Sequence, residues 1–297
     1  MVKKNLVGDV PGNVLGMLGD LNFKLQHGVI TPEQLDLFLK KQNPFGAIGC
    51  LDAILNREKE LHQNFFGKNF AKEFDYSKFS ATLERYGEAK FAEWRDFGLE
   101  PHFLPAVKMS QNRSFPGWKV KPENWFYEEV SRGKILENPL QLGGEGGQVV
   151  LADIRCKPSH SNGCQIWEKD SCLGDIIFKL REDRKISDYK IKNSRFGVSA
   201  LEVENNIVPA LARKLGLMAR QVRSERAIEF NVLSQMLSDT PRVKDGETNT
   251  WVWFADHFKS DGGRFFGGSS EYDGLADVSQ SETDYHWRIS FRLLVVL

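Results

Sequence analysis

The sequence lacks several features that would assign it to a familiar class of protein. Its 297 residues include only four cysteines, too few for a scaffold built on disulfides, so a reducing compartment is expected. No apolar run reaches the 18 or so residues of a membrane-spanning helix. Asp9, Pro11 and Asn13 interrupt any secretory signal at the start. We therefore expect no membrane insertion and, by default, a cytoplasmic or virion-associated protein.

The sequence also lacks net charge, because 40 basic side chains balance 40 acidic ones. Binding to nucleic-acid phosphates requires a surplus of lysine and arginine, so no nucleic-acid partner is expected. The strongest local excess lies at residues 179–195, with a net charge of plus four. We interpret that segment as a solvated face.

Recognisable catalytic motifs are missing as well. There is no G-x-S-x-G nucleophile turn, and the six histidines are scattered. The G-G-E-G-G run at 143–147 lacks the Lys-Ser/Thr of a phosphate loop, which favours a turn or hairpin. The sequence therefore predicts no catalytic residues and no enzyme.

Three regions of the chain differ in their residue pattern. Residues 1–100 predict a mainly helical N-terminal region, with a helix start at Thr31–Pro32 and apolar stripes between 47 and 97. Residues 101–148, rich in proline, glycine and aromatic residues, predict a connecting region. Residues 149–297 predict a mixed domain. Strands are expected around 148–151, 175–180 and 289–296, and helices at 201–215, ending at Gly216, and at 224–237, with Ser224 as N-cap.

One group of residues has the composition of a metal site. Cys156, His160, Cys164 and Cys172 place four nitrogen or sulfur ligands within seventeen residues, as C-x3-H-x3-C-x7-C. Structural zinc prefers four such ligands, but this spacing is not that of close-set C-x-x-C pairs. Structural zinc therefore stays open beside the alternative of partly buried thiols in a loop-rich segment. No other cofactor is expected.

The last 47 residues are unusual in composition. Residues 251–297 contain ten aromatic residues, and seven acidic residues against four basic ones. The run 279–287 has no aliphatic residue, yet it leads directly into the apolar segment 289–296. A polar, aromatic-tipped loop fastened to a buried strand is typical of a binding surface.

Five pieces of the C-terminal half resemble one known family, in the same order. T-N-T-W-V-W-F-A-D at 248–256 resembles the G-N-V-W-E-W-x-x-D segment of the formylglycine-generating-enzyme-like branch of the C-type lectin fold. Residues 263–269 resemble its R-V-x-R-G-G-S strand, and 289–293 resemble its closing I-G-F-R-L. Residues 197–202 and 224–230 are similar to its V-S-W-x-E-A and T-E-A-E-W-E-Y pieces.

The resemblance implies an α+β protein with a C-type-lectin-like domain at 149–297. Catalytic members of this family hold copper with a pair of cysteines in this half, whereas this chain has no cysteine after Cys172. The resemblance therefore points to non-catalytic relatives, the variable proteins of diversity-generating retroelements, in which adenine-directed mutagenesis rewrites a ligand-binding face. An oxidase of the formylglycine-generating type and a structural zinc module are the alternatives.

That relationship implies a variable binding face near the C-terminus, and its acidic, aromatic character favours a protein ligand. The residues expected on this face are His257, Phe258, Ser270, Glu271, Tyr272, Asp277, Ser279, Gln280, Ser281, Glu282, Thr283, Asp284, Tyr285, His286 and Trp287.

Overall fold

The computed structural model describes residues 50–135, 138–154, 160–161, 164–237, 250–259, 263–269, 274–281 and 287–297, with the isolated helical residues Leu21, Leu25 and Leu35. Residues 54–297 form one compact unit, which contains nearly all of the described residues. The expected helix start at Thr31–Pro32 lies outside the described residues.

The described part of the N-terminal region is helical, as the sequence predicts. Helix α1 spans Cys50–Phe66, α2 spans Lys68–Ala71, and α3 spans Ser77–Arg95 with a kink at Gly87. The apolar stripe of α3 is buried at Phe79, Leu83, Phe91 and Trp94. Burial of this stripe, rather than helix propensity alone, stabilises a helix of this length.

The first sheet joins distant parts of the chain. It consists of β1 (Leu99–Leu104), β2 (Gln148–Asp153), β5 (Val222–Ser224) and β10 (Leu293–Val296), in the order β1-β2-β10-β5 with every pair antiparallel. Strand β2 confirms the strand expected near residue 148. Strand β1 lies at an edge, where Pro101 is tolerated because its missing N–H removes no inner hydrogen bond. The region predicted as a connection thus contributes a strand to this sheet.

Short elements follow between these strands. Helix α4 spans Asn124–Ser131, and β3 (His160–Ser161) pairs with β4 (Cys164–Gln165) in a hairpin. A 3-10 turn at Ile166–Lys169 then precedes α5, which spans Gly174–Glu182. The expected strand at 175–180 is therefore wrong. The buried residues of α5 include Ile177, Leu180 and Arg181, which are spaced three and four residues apart as on one face of a helix. The apolar run in the sequence is too short to show this period.

Two later helices agree with the sequence to different degrees. Helix α6 (Ala200–Glu202) continues through a π-helical segment, Val203–Ile207, into α7 (Val208–Leu215), and ends at Gly216 in the left-handed region, as predicted. A 3-10 turn at Ala219–Gln221 precedes β5, and α8 then spans Ala227–Met236. The expected N-cap at Ser224 is wrong, because Ser224 ends β5 and Arg226 is the N-cap.

The second sheet contains three of the five segments that resemble the family, those around residues 251–256, 264–267 and 289–291. It consists of β6 (Trp251–His257), β7 (Arg264–Gly267), β8 (Val278–Ser281) and β9 (Ile289–Phe291), in the order β8-β7-β6-β9. Strands β6 and β9 are parallel, and the other pairs are antiparallel. The strand expected at 289–296 is thus divided at Arg292, and its halves β9 and β10 belong to different sheets.

Helix α8 lies between two apolar cores. Ile228, Val232 and Leu233 belong to the core beside the first sheet, while Ala227 and Phe230 belong to the core beneath the second sheet. Because both sides of α8 are buried, its sequence shows a nearly continuous apolar run. The fold is mixed helix and sheet, of the α+β class. Among the described helices, none combines the length and apolar character needed to cross a bilayer.

The end of β7 tolerates only glycine at Gly267. A Cβ there would overlap the carbonyl oxygen of Asp277 and touch the ring of Phe254. We expect Gly267→Ala to lower the free energy of unfolding by about 1–3 kcal/mol through overpacking. Gly144→Ala is the matched control, because its Cβ would meet no atom within 4 Å. Equal urea midpoints for the two variants would contradict the expectation.

Candidate binding face

One face of the second sheet carries partly exposed side chains. Arg264 pairs with Ser281 across β7 and β8, and Phe266 pairs with Ser279. Cross-strand partners project to the same side of a sheet, so these four residues share one side, named here the outer face. All four are partly exposed, whereas the intervening Phe265 is buried on the opposite side in the core.

An aromatic cluster supports the outer face. Phe266 meets the rings of Trp251 and Trp253 edge to face, with centroid distances of 5.8 and 5.9 Å. The indole N–H of Trp253 donates to the carbonyl oxygen of Val198 at 2.9 Å, which anchors this buried ring to the segment before α6. Packed aromatic rings with bonded polar atoms give a surface of fixed shape.

Arg264 connects the outer face to the π-helical segment. Its Nη2 donates to Oε2 of Glu204 at 2.8 Å, and the arginine side chain is largely covered. Arg264, Phe266 and Glu204 were not among the residues expected at a site. The alternation of Arg264, Phe265 and Phe266 was a signal, since period-two patterning puts the first and third on one side.

Asp277 is a structural residue, which corrects its expected place on the exposed face. Only 2% of Asp277 is exposed. Its Oδ2 accepts the indole N–H of Trp251 at 2.9 Å and the backbone N–H of Ser269 at 3.1 Å, and its Oδ1 accepts from the Ser279 hydroxyl at 3.2 Å. The carboxylate therefore fixes the turn after β7 against β6 and β8.

Phe258 is a second correction to the expected face. It is 6% exposed and stacks on Phe265 with a centroid distance of 4.8 Å, inside the core beneath the sheet. A phenyl ring buried in this way contributes to packing and presents no surface to a ligand. Its neighbour His257 is partly buried at the end of β6.

The remaining expected face residues fall into three groups. Ser279, Gln280 and Ser281 form the edge strand β8, so the polar loop expected there is wrong at these positions, although Gln280 is exposed. Trp287 is 54% exposed, and the guanidinium of Arg288 lies 4.4 Å from its ring centroid. The other expected residues lie outside the described residues: Ser270, Glu271, Tyr272, Glu282, Thr283, Asp284, Tyr285 and His286.

The expected zinc ligands are described only in part. Cys156 lies outside the described residues, and His160 and Cys164 are described only by their backbone in the β3–β4 hairpin. Cys172 is a partly exposed free thiol. Within the described ranges, no three side chains of His, Cys, Asp or Glu are placed to share a metal ion. Structural zinc at these positions stays a prediction.

The basic segment 179–195 is not a uniform solvated face. Arg181 and Arg195 are buried, which corrects the interpretation for these two residues. Arg195 pairs with Asp153 at 2.9 Å and also with Asp170. The exposed side chains of Lys179 and Lys192 form ion pairs with Asp183 and Asp188, and exposed Lys190 pairs with the buried Glu168. Most of the basic side chains of this segment therefore have partners within the protein.

A polar cleft of about 390 Å³ lies where β5, α8 and β6 meet. Glu229 is fully buried behind it and bonds both Arg223 and Arg226. Burial is the main influence on Asp256 in the cleft, and it raises the pKa of that carboxyl to about 6. The N–H of Ala227 and the charge of Arg226 oppose this rise in pKa without cancelling it.

Comparison of the chain with protein-family models, with curated proteins and with solved structures finds no match in any of the three. The geometry of the outer face and the cleft is therefore the basis for a functional proposal.

Proposed function

We propose that this chain is a non-catalytic ligand-binding protein with a C-type-lectin-like scaffold, whose binding surface a retroelement reverse transcriptase diversifies. The outer face is the observation that carries the proposal. Polar and aromatic side chains there lie on strands whose opposite side holds the core residues Phe265 and Val278, so the surface can change while these core residues are kept.

The chain path gives further support. Strand β10 pairs directly with β2, so the two ends of the region 148–297 lie side by side. Between them, β6, β7 and β9 come from segments that resemble the family and belong to one sheet. A scaffold in which β7 and β8 are partly exposed, while β6 and β9 are largely buried, suits the display of a binding surface at that edge.

A protein partner fits the chemistry of this surface best. Residues 251–297 carry seven acidic and four basic side chains. Trp287 is half exposed, and tryptophan is enriched among residues that dominate protein–protein binding. Asp256 and Asp277 are buried, so the exposed tryptophan is the described feature that favours a protein partner, and the acidic composition of the segment favours a partner with a basic patch.

Sequencing the gene deeply in its source population tests the proposal. We expect substitutions at adenine-containing codons, concentrated at exposed or partly exposed positions such as Ser279, Gln280, Ser281 and Trp287. Phe258 and Asp277 should remain unchanged, because both are buried and support the sheet. Substitutions spread evenly along the gene would rule out the retroelement proposal.

An activity assay distinguishes the proposal from an oxidase of the formylglycine-generating type. The purified chain is titrated with copper and incubated with a thiol-containing peptide under oxygen. We expect no peptide oxidation above a copper-only control. Clear turnover would overturn the non-catalytic assignment, whatever the population sequencing shows.

A further inference from the structure

The polar cleft beside α8 has the construction of a ligand site distinct from the outer face. It is bordered by the end of β5, the start of α8, the end of β6 and the turn before β2. Its lining residues with polar side chains are Asn138, Gln141, Gln148, Arg223, Arg226, Asp256 and His257.

Arg223 presents an unused edge of its guanidinium group. Its Nη1 donates to the Ser224 carbonyl at 2.9 Å and to Glu229 at 2.7 Å, and its Nη2 donates to Glu229 at 2.7 Å. Arginine has five N–H donors, so Nε–H and the second Nη2–H remain without a partner among the described residues. These two hydrogens lie on one edge of the planar group, and 28% of the side chain is exposed.

The neighbouring Arg226 differs, because its donors are used inside the protein. Its Nε donates to Glu229, and its Nη atoms donate to the carbonyl oxygens of Asn138 and Leu142. Arg226 therefore stabilises the wall of the cleft, whereas Arg223 has N–H donors available for a ligand.

Asp256 and His257 are two further cleft residues whose side chains can form hydrogen bonds to a ligand. Asp256 accepts the N–H of Ala227 at 2.6 Å, and the charges that act on it are those of Arg226, Glu229 and Arg223. Near pH 6 part of the Asp256 population is protonated and can donate a hydrogen bond. Nδ1 of His257 lies 3.1 Å from the carbonyl oxygen of Ala255, which leaves Nε2 for a ligand.

We propose that the cleft binds a carboxylate group, held by the Nε and Nη2 donors of Arg223. Two parallel N–H donors on a guanidinium edge match the two oxygens of a carboxylate. The carboxylate belongs either to a small organic acid or to a peptide C-terminus. This inference does not depend on the proposed diversification, because its central residues lie on β5 and at the end of β6.

A titration of the full chain followed by NMR tests the proposal. The probes are succinate, acetyl-triglycine with a free carboxylate, and the C-terminal amide of that peptide. We expect succinate or the free-acid peptide to shift the Nε–Hε signal of Arg223, and the amide to leave it unchanged. A response to succinate alone identifies a small acid, whereas a stronger response to the peptide identifies a C-terminus. No response to either carboxylate, or a response to inorganic phosphate alone, overturns the proposal.

Variants locate the site. Arg223→Met should weaken carboxylate binding about tenfold or more, since a charge-assisted hydrogen-bond pair is lost. Arg223→Lys keeps the charge beside Glu229 but lacks the fork, so it should also lose affinity if the fork is responsible. Arg220→Met is the matched control, because Arg220 is exposed and lies outside the cleft. Unchanged binding in a folded Arg223→Lys variant would contradict chelation by the fork.

The pH dependence gives an independent readout. Protonated Asp256 donates to a carboxylate and ionised Asp256 repels it, so affinity should rise as the pH falls from 7.5 to 5.5. Asp256→Asn retains an oxygen that can accept the N–H of Ala227, yet cannot titrate. We expect a weaker pH dependence in that variant. An identical pH profile in both proteins would contradict the assigned contact.

Discussion

Replacing Glu58 with alanine is expected to lower the free energy of unfolding by about 3–5 kcal/mol, because it removes a buried, hydrogen-bonded carboxylate that joins two elements. Glu58 on α1 is buried and accepts the N–H of Phe103 at 2.8 Å. The same carboxylate oxygen, Oε1, lies 3.3 Å from Nε2 of His62. The other oxygen, Oε2, lies 2.9 Å from Nδ1 of His102. The network joins α1 to β1, so its loss removes hydrogen bonds and leaves a cavity. Chemical denaturation measures the effect.

The effect of Glu58 should depend on pH with a definite sign. Burial favours a higher pKa for Glu58, but the charges and hydrogen bonds of His102 and His62 outweigh it and hold the pKa well below its ordinary value of 4.5. A carboxyl with a lowered folded-state pKa stabilises fully above its unfolded-state value and less as the pH falls below it. The difference between wild type and variant should therefore shrink below about pH 4.5.

Glu60→Ala is the control for this experiment, because Glu60 is an exposed residue on the same helix. Surface substitutions of this kind usually change stability by about 0.5 kcal/mol or less. If Glu58→Ala and Glu60→Ala destabilise the protein equally at pH 7, the buried network does not have the role assigned to it.

Replacing Asp277 with alanine is expected to cost about 2–4 kcal/mol, because it removes the acceptor for two buried donors. The indole N–H of Trp251 and the backbone N–H of Ser269 both donate to Asp277. Without that carboxylate the turn after β7 loses its connection to β6. The variant should also show a changed tryptophan fluorescence spectrum, since Trp251 packs against Phe266.

Gln280→Ala provides the comparison for Asp277→Ala. Gln280 lies on β8, three residues further along the chain, and its side chain is exposed. We expect near-wild-type stability for it. A stable Asp277→Ala variant with unchanged Trp251 fluorescence would show that the turn does not need the carboxylate.

Local patterns in the sequence predicted much of the secondary structure. The apolar stripe of α3 and the helix that ends at Gly216 follow from periodicity and from a glycine in the left-handed region. The strand at 148–153 follows from its apolar run. Such signals act over one or two turns of chain, so they are present before any tertiary contact forms.

The wrong secondary-structure predictions lie where tertiary contacts determine which element forms. Residues 174–182 form a helix because Ile177 and Leu180 find partners on one side of it. The segment 289–296 divides at Arg292 because its halves join two different sheets. A continuous apolar run is consistent with either arrangement, and only the packing partners distinguish them.

The candidate site shows the same division between sequence and structure. Composition and resemblance directed attention to residues after 250, where the outer face lies. They did not separate exposed from buried positions, so Phe258 and Asp277 were placed on the surface. Arg264 and Phe266 were missed, because the face is defined by the pairing of β7 with β8.

Residue patterns alone predict an α+β protein with a helical N-terminal part and an aromatic-rich, acidic C-terminal segment. They do not predict that Arg223 and Asp256 share a cleft, or that Glu58 contacts His102, because those contacts depend on tertiary packing. Those pairs are 33 and 44 residues apart, and sheet register and helix packing bring them together. Local patterning encodes what each segment becomes, whereas the free energy of burial selects which segments meet.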